Sequence, residues 1–390
     1  MKYFEFYNPV KICAGDDALK HLNFELYNLG VKKPLLLSDN GLNDLGIVKK
    51  ITTIAGIENY ELYTNIPTDS SDIAISDIIS FIKDNSCDGI IALGGGSVID
   101  TAKGVKMAYG RADNLKSVMG MNILQNGDNL PFIVLPTTAG TGSEVTNVAV
   151  IKDEKTNVKM EYISPYLMPN VAIIDSRLTD SLPAKVTAST AIDALSHAIE
   201  GFSCLQKNPI SDAYAITSIK LIFDNVLKVI DNPKDKELRL NMALASTLAG
   251  LCFGNSMVGG VHAIGHALGS VCHIAHGDAM AILLPNVMEF NKDKMCDIYA
   301  ALFDTICYKY DKKDLTNMQK CDIVIKVIRE FLLLLKQKTG MPTCLNDTNK
   351  YDQLKARDVA NAALCDGAII LNPKQIDVGD VLEILKNSEK

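Results

Sequence analysis

Asp88-GIIALGGGSVIDTAKG-Val105 passes from strand through glycine turn to helix within 18 residues. Ile90-Ile91-Ala92-Leu93 is a continuous apolar run with no polar alternation. Such a strand is buried on both faces, which is the habit of parallel sheets covered by helices. Gly94, Gly95 and Gly96 can adopt positive φ and let backbone N–H groups approach an anion closely. Ser97 is placed to cap the following helix, with Asp100 three residues on as its capping-box partner. A helix N-terminus behind glycines is an anion site, because unpaired N–H groups and the helix dipole meet there. The plain alternative is a well-capped structural turn. The motif is neither the G-x-G-x-x-G of an ordinary dinucleotide fold nor a Walker loop, since no Gly-Lys-Ser/Thr follows.

Outward from this stretch, the first half of the chain alternates short apolar runs with Gly-rich turns and helical segments. Pro34–Ser38, Gly89–Leu93, Pro131–Leu135 and Val171–Ile174 read as strands. After the third comes Pro136-Thr137-Thr138-Ala139-Gly140-Thr141-Gly142-Ser143-Glu144, a loop with four hydroxyls and two glycines. It cannot form core, and it suits hydrogen bonding to phosphate and ribose. Two such loops behind buried strands point to a nucleotide. Asp39 ends the first strand, where a carboxylate can accept from a ribose diol and would repel a 2′-phosphate. That favours NAD over NADP, with a simple Asp-Asn-Gly turn as the competing reading.

The character changes near Ser181-Leu182-Pro183, beyond which helical spacing dominates, as in Ala184 to Ile230, Leu238 to Leu251 and Ile323 to Gln337. The expected architecture is an α/β dinucleotide-binding domain with a Rossmann-like parallel sheet over 1–181 and an all-α domain over 182–390, with a ligand cleft between them.

The helical half carries five of the six histidines, as Asp193-x3-His197 and His262-x3-His266-x6-His273-x2-His276. Ligands four apart on a helix share a face, and histidine is the commonest metal ligand. One face is expected to hold Asp193 and His197, and another His262 and His266 with His273 further along. Gly277 is expected to break the second helix. A lone histidine is usually a hydrogen-bonded core residue, but five with a spaced aspartate read as a metal site. Three imidazoles and a carboxylate suit Fe(II) or Zn(II) and suit Mg(II) or Ca(II) poorly. Spacing alone leaves open which three histidines bind. A Lewis-acidic cation beside a dinucleotide points to hydride transfer from an acidified alcohol to a nicotinamide.

Bulk composition excludes other classes. Hydrophobic residues at 47% and charged residues at 22% describe an ordinary globular protein. A net charge of −7 disfavours nucleic acid and anionic membranes as partners. No leader-like segment opens the chain and no apolar run reaches spanning length, so a cytoplasmic location is expected. The ten scattered cysteines contain no C-x-x-C pair and read as mostly small buried hydrophobes.

Taken together, GGGSVIDTAK (94–103), PTTAGTGSEVT (136–146), AIDALSHAIEGF (191–202), GGVHAIGHALG with HIAHGDAMAILLPNVMEFN (259–291) and ALCDGAIILNPKQI (363–376) closely resemble the iron-containing (group III) alcohol dehydrogenases along essentially the whole chain. The resemblance implies their fold, shared with dehydroquinate synthases, and NAD-linked oxidation of a primary alcohol or diol to the aldehyde, with dimers or larger homo-oligomers. It implies Asp193, His197, His262 and His276 as ligands of Fe(II), or alternatively Zn(II), and His266 near substrate and nicotinamide in a proton relay. Gly94, Gly95, Gly96 and Ser97 would hold the pyrophosphate. Thr137, Thr138, Thr141 and Thr146 would line the cofactor, Lys159 would approach the nicotinamide-side ribose, and Leu178 would pack near the adenine. Asp39 matches the acid of NAD-preferring members. Where many members have Pro-Asn-Pro, this chain has Ile66-Pro67-Thr68, so Thr68 replaces an asparagine that often helps to hold the cofactor. The competing readings are a metal- and NAD-using lyase resembling dehydroquinate synthase, drawing on Arg177, Arg239, Arg329 and Arg357 for an acidic substrate, and a non-catalytic cofactor-binding relative.

Overall fold

The computed structural model describes residues 3–68, 70–111, 115–121, 130–156, 158–311 and 313–390. The chain divides into two compact units, Tyr7–Ser181 and Leu182–Lys390 with Met1–Phe6. The first six residues, expected with the sheet domain, therefore belong to the helical unit. The Phe6 ring stacks on Tyr214 there, with centroids 5.6 Å apart.

The described residues of the first unit form nine strands: β1 (Lys11–Ala14), β2 (Pro34–Leu37), β3 (Glu61–Tyr63), β4 (Gly89–Gly94), β5 (Gly120–Met121), β6 (Phe132–Pro136), β7 (Val148–Asp153), β8 (Val158–Ile163) and β9 (Val171–Ile174). Six form a parallel sheet in the order β1-β9-β6-β4-β2-β3. Strands β2, β4, β6 and β9 are buried throughout, which is why they read as unbroken apolar runs. Alternate residues feed two cores. Leu35, Leu37, Ile90, Ala92, Phe132 and Val134 pack with Ile75, Ile78, Ile82, Val98 and Ala102. Leu36, Ile91, Leu93, Ile133 and Leu135 pack with Leu19, Leu22, Val48 and Ile51 on the other face. From β2 the chain moves outward to β3, whereas from β4 it proceeds the other way through β6 to β9. The switch point lies between β2 and β4, and in open α/β sheets ligands bind beyond the carboxyl ends of the strands there.

A small sheet, with β5–β8 parallel and β7–β8 antiparallel, flanks the first. Sequence periodicity did not reveal it, nor the half-exposed edge strands β1 and β3. The second unit contains no strand among its described residues. Its main helices are Ala184–Ser203, Pro209–Asp231, Lys236–Ser256, Gly260–Cys272, His276–Ala300 and Asn317–Thr339. No single described helix is long and apolar enough to cross a membrane. All ten cysteines are free thiols; six are buried, and Cys365 is exposed.

The helix after β4 starts differently from the sequence expectation. It runs Gly96–Ala108 with Gly95 as N-cap and no side-chain cap. Ser97 lies inside its first turn and donates to the Thr68 carbonyl. Asp100 turns away from the helix start and accepts from Ser143 Oγ at 2.8 Å and the Val150 amide at 3.0 Å. One turn later Lys103, fully buried, donates to Ser143 Oγ at 2.8 Å, Thr146 Oγ1 at 2.9 Å and the Val148 carbonyl at 2.6 Å. Burial lowers the Lys103 ammonium to about 8, with Asp100 and Glu144 opposing. The pair staples the hydroxyl-rich loop to this helix. Lys103→Met keeps most of the stem volume and leaves Asp100 without its cation. The expected loss is about 3 kcal/mol of unfolding free energy, read from the urea midpoint; an unchanged midpoint would contradict the staple.

Candidate functional site

At the carboxyl ends of β2, β4 and β6 the described loops meet. Gly94 pairs with Pro136 in register, and the Thr137 amide donates to the Gly94 carbonyl at 3.0 Å. Ser38 Oγ donates to the Leu93 carbonyl at 2.8 Å, which sets Asp39 beside the same edge. A Cβ on Gly95 would stand 3.1 Å from Thr138 Cγ2, and one on Gly96 2.9 Å from Thr141 Cγ2. The absence of side chains at Gly95 and Gly96 lets the two loops face each other this closely. The result is a backbone-lined cradle at a helix N-terminus, which has the chemistry a pyrophosphate requires.

The other expected cofactor residues fall into different environments. Thr138 and Thr141 are half-buried at the cradle, whereas Thr137 and Thr146 are buried. Thr146 is engaged by Lys103. Thr68 offers its carbonyl to Ser97. Lys159 is exposed on β8, in register with Lys152. Leu178 is only 1% exposed, within the sheet core. Asp39 is half-buried and caps the Asn40–Asp44 helix, accepting from the Leu42 amide at 2.8 Å. The turn role anticipated as its alternative is thus present, and it occupies Oδ1.

In the helical unit, Asp193 and His197 stand one turn apart on Ala184–Ser203. His262 comes from the first turn of Gly260–Cys272. The break expected at Gly277 lies earlier: His273 takes a left-handed conformation, φ 56°, and caps the preceding helix, and His276 opens the next one. His273 is exposed, with its carbonyl accepting from Lys350 Nζ at 2.7 Å, so it does not continue the His262 stripe. Gly277 serves close approach instead. A Cβ there would stand 2.5 Å from the Ser189 carbonyl oxygen, so only glycine lets the start of His276–Ala300 rest on the Asp193 helix.

Asp193, His262 and His276 place one ligand atom each within 4.8 Å of one another. Asp193 Oδ1 lies 3.1 Å from His276 Nε2, 3.7 Å from His262 Nε2 and 3.6 Å from His197 Nδ1. Asp193 Oδ1, His262 Nε2 and His197 Nδ1 are buried without hydrogen-bond partners. Buried polar atoms are almost always satisfied, so three orphans converging on one point fit a cation. The His197 ring is held against Phe253, with centroids 4.1 Å apart. Burial drives His197 well below its ordinary pKa and so keeps one ring nitrogen's lone pair available. Burial acts against ionisation of Asp193, yet the facing imidazoles hold it well below the usual carboxylate range. Burial likewise opposes charge on His262, but Asp193 and Glu200 raise it to about 9.

His266, one turn after His262, meets Asp366 through Nδ1···Oδ2 at 2.7 Å, and its ring lies 5.3 Å from that of His276. Asp366 has no spacing signal that would reveal it, being 100 residues away in sequence. Of the four arginines that a lyase could draw on, Arg357 is exposed and the other three are engaged structurally. Arg177 binds Asp175 and Asp17, Arg239 binds Thr187, Pro233 and Leu182, and Arg329 binds Asn286 and Pro285.

Comparison with known proteins bears on the whole chain. Residues 9–176 match the family model "Iron-containing alcohol dehydrogenase" and residues 187–389 match "Fe-containing alcohol dehydrogenase family, C-terminal". Long-chain-alcohol dehydrogenase 1 of Geobacillus thermodenitrificans is 38% identical over 74% of this chain and 75% of its own length. The NAD-dependent methanol dehydrogenase of Bacillus methanolicus is 30% identical over 98% of this chain and 99% of its own. A crystal structure of 1,3-propanediol oxidoreductase superposes with a TM-score of 0.93 at 30% identity, covering 99% of this chain and 100% of that one. The chain belongs to the iron-containing alcohol dehydrogenase family.

Proposed function

We propose that the protein is an NAD-linked, metal-dependent dehydrogenase that interconverts a primary alcohol or diol and its aldehyde. The observation that carries this reading is the convergence of unpartnered, buried Asp193 Oδ1, His262 Nε2 and His197 Nδ1, with His276 Nε2 beside them. These four residues would hold the cation, and their set of three imidazoles and a carboxylate suits Fe(II), with Zn(II) as the alternative. When bound, such a cation acidifies an alcohol and polarises an aldehyde. Asp366 orients the His266 ring and favours the tautomer with hydrogen on Nδ1. Nε2 is then the atom through which His266 would exchange a proton with substrate. The Gly95–Gly96 cradle and the Thr138–Thr141 loop would hold the pyrophosphate, and Asp39 would disfavour a 2′-phosphate. Relatives named for long-chain alcohols, methanol and 1,3-propanediol support the alcohol class and leave chain length to measurement.

The test is anaerobic reconstitution of metal-free protein with Fe(II) or Zn(II), followed by a panel of alcohols with NAD and aldehydes with NADH, read by nicotinamide absorbance. No turnover with either metal on any substrate would overturn the reading. His262→Ala and His276→Ala are each expected to lose stoichiometric metal on dialysis together with activity, as elemental analysis will show. His266→Ala is expected to retain metal while kcat falls by about 10²–10⁴; an unchanged kcat would remove the proton role. Asp39→Gly is expected to raise kcat/KM for NADP relative to NAD, and an unchanged ratio would assign Asp39 to helix capping alone.

A further inference from the structure

The helix that carries His262 begins inside the protein: Gly260, Val261 and His262 are all buried. The first N–H groups of a helix have no partner within it, so here side chains must supply acceptors. Asn372 Oδ1 accepts from the Gly260 amide at 3.1 Å. Glu200, only 6% exposed, accepts from the Val261 amide through Oε1 at 2.6 Å and from the His262 amide through Oε2 at 3.3 Å. The same Oε2 meets His262 Nδ1 at 2.5 Å. Glu200 lies two turns after Asp193 on the same helix, so one helix face presents both carboxylates. Gly259 leaves room for this arrangement, since a Cβ there would stand 3.2 Å from Glu200 Oε1 and 3.0 Å from Asn372 Oδ1.

We propose that Glu200 is the positioning residue of the metal centre, setting both the place and the tautomer of His262. The inference rests on the reading of Asp193, His197, His262 and His276 as metal ligands. An ionised carboxylate only accepts hydrogen bonds, so its contact requires hydrogen on Nδ1, and in the neutral imidazole the lone pair is then on Nε2. That Nε2 is the buried, unpartnered atom facing Asp193 Oδ1 at 3.7 Å. One side chain therefore ties the helix start, the imidazole orientation and the donor atom together. Carboxylates behind metal-bound imidazoles typically contribute 10–100-fold in metal affinity.

The alternative role is helix capping alone, and Asn372 separates the two, because it caps Gly260 without touching the imidazole. Metal-free wild type, Glu200→Gln and Asn372→Ala are to be titrated with Zn(II) against a competing chelator. Gln has one acceptor oxygen. When that oxygen takes the Val261 amide, its NH2 group faces Nδ1 and drives hydrogen onto Nε2, where it blocks ligation. Glu200→Gln is expected to weaken Zn(II) binding by about 10–100-fold, with Asn372→Ala close to wild type. Wild-type affinity in Glu200→Gln overturns the proposal, and so does an equal loss in Asn372→Ala. In Zn(II)-loaded wild type with 15N-labelled histidine, His262 is expected to carry its hydrogen on Nδ1. Hydrogen on Nε2 overturns the proposal whether or not Glu200→Gln folds. A wild type that binds no Zn(II) and no Fe(II) overturns the metal reading itself, and this inference with it.

Discussion

A carboxylate oxygen buried without a hydrogen-bond partner is the constraint around which the helical unit is arranged. Leaving an ionised group in that state costs several kcal/mol unless a positive charge or a cation answers it. Three helices bring imidazoles to Asp193 from different directions, and each approach needed its own accommodation in sequence. Gly277 removes a side chain where one helix start rests on the Ser189 carbonyl. Phe253 braces His197. Burial keeps His197 from charging, so repulsion among neighbouring imidazoles is held down. Asp193, His197 and His262 are buried, and burial strengthens the electrostatic interactions among them.

The sheet unit solves a different problem by different means. Its cradle is made chiefly from backbone, with Gly95 and Gly96 packed against Thr138 and Thr141 and a helix N-terminus behind them. Under the proposed function, diffuse phosphate charge would be met there by many weak amide donors, so side-chain chemistry is subordinate. The proposed metal centre would instead need few, strongly directional donors. In the proposed function the two units divide the requirements of alcohol oxidation between them, and the family's two models each match one of the units.

What could be read from sequence follows from burial. Strands β4 and β6 were legible because both faces are covered, leaving unbroken apolar runs at Ile90–Leu93 and Phe132–Leu135. The edge strands β1 and β3 are only partly covered, and four or three residues of mixed exposure look like loop. Asp193 and His197 were legible from helical spacing. The same rule, carried on to seven residues, reaches Glu200. The helix break before His276 was misplaced because the left-handed residue is His273, and left-handed positions are usually marked by glycine or asparagine. Asp100 reads locally as a cap, but its partners, Ser143 and Val150, are 43 and 50 residues away. Tertiary bonds of that range leave no trace in local periodicity.

The staple formed by Asp100 and Lys103 has a consequence for timing. Fixing a residue's backbone costs roughly 1–2 kcal/mol of conformational entropy. Because Ser143, Thr146 and Val148 are anchored by the protein's own buried groups, the loop loses that freedom during folding, before any ligand arrives. An anion entering the cradle meets donors already in place, and association is not slowed by a search among loop conformations.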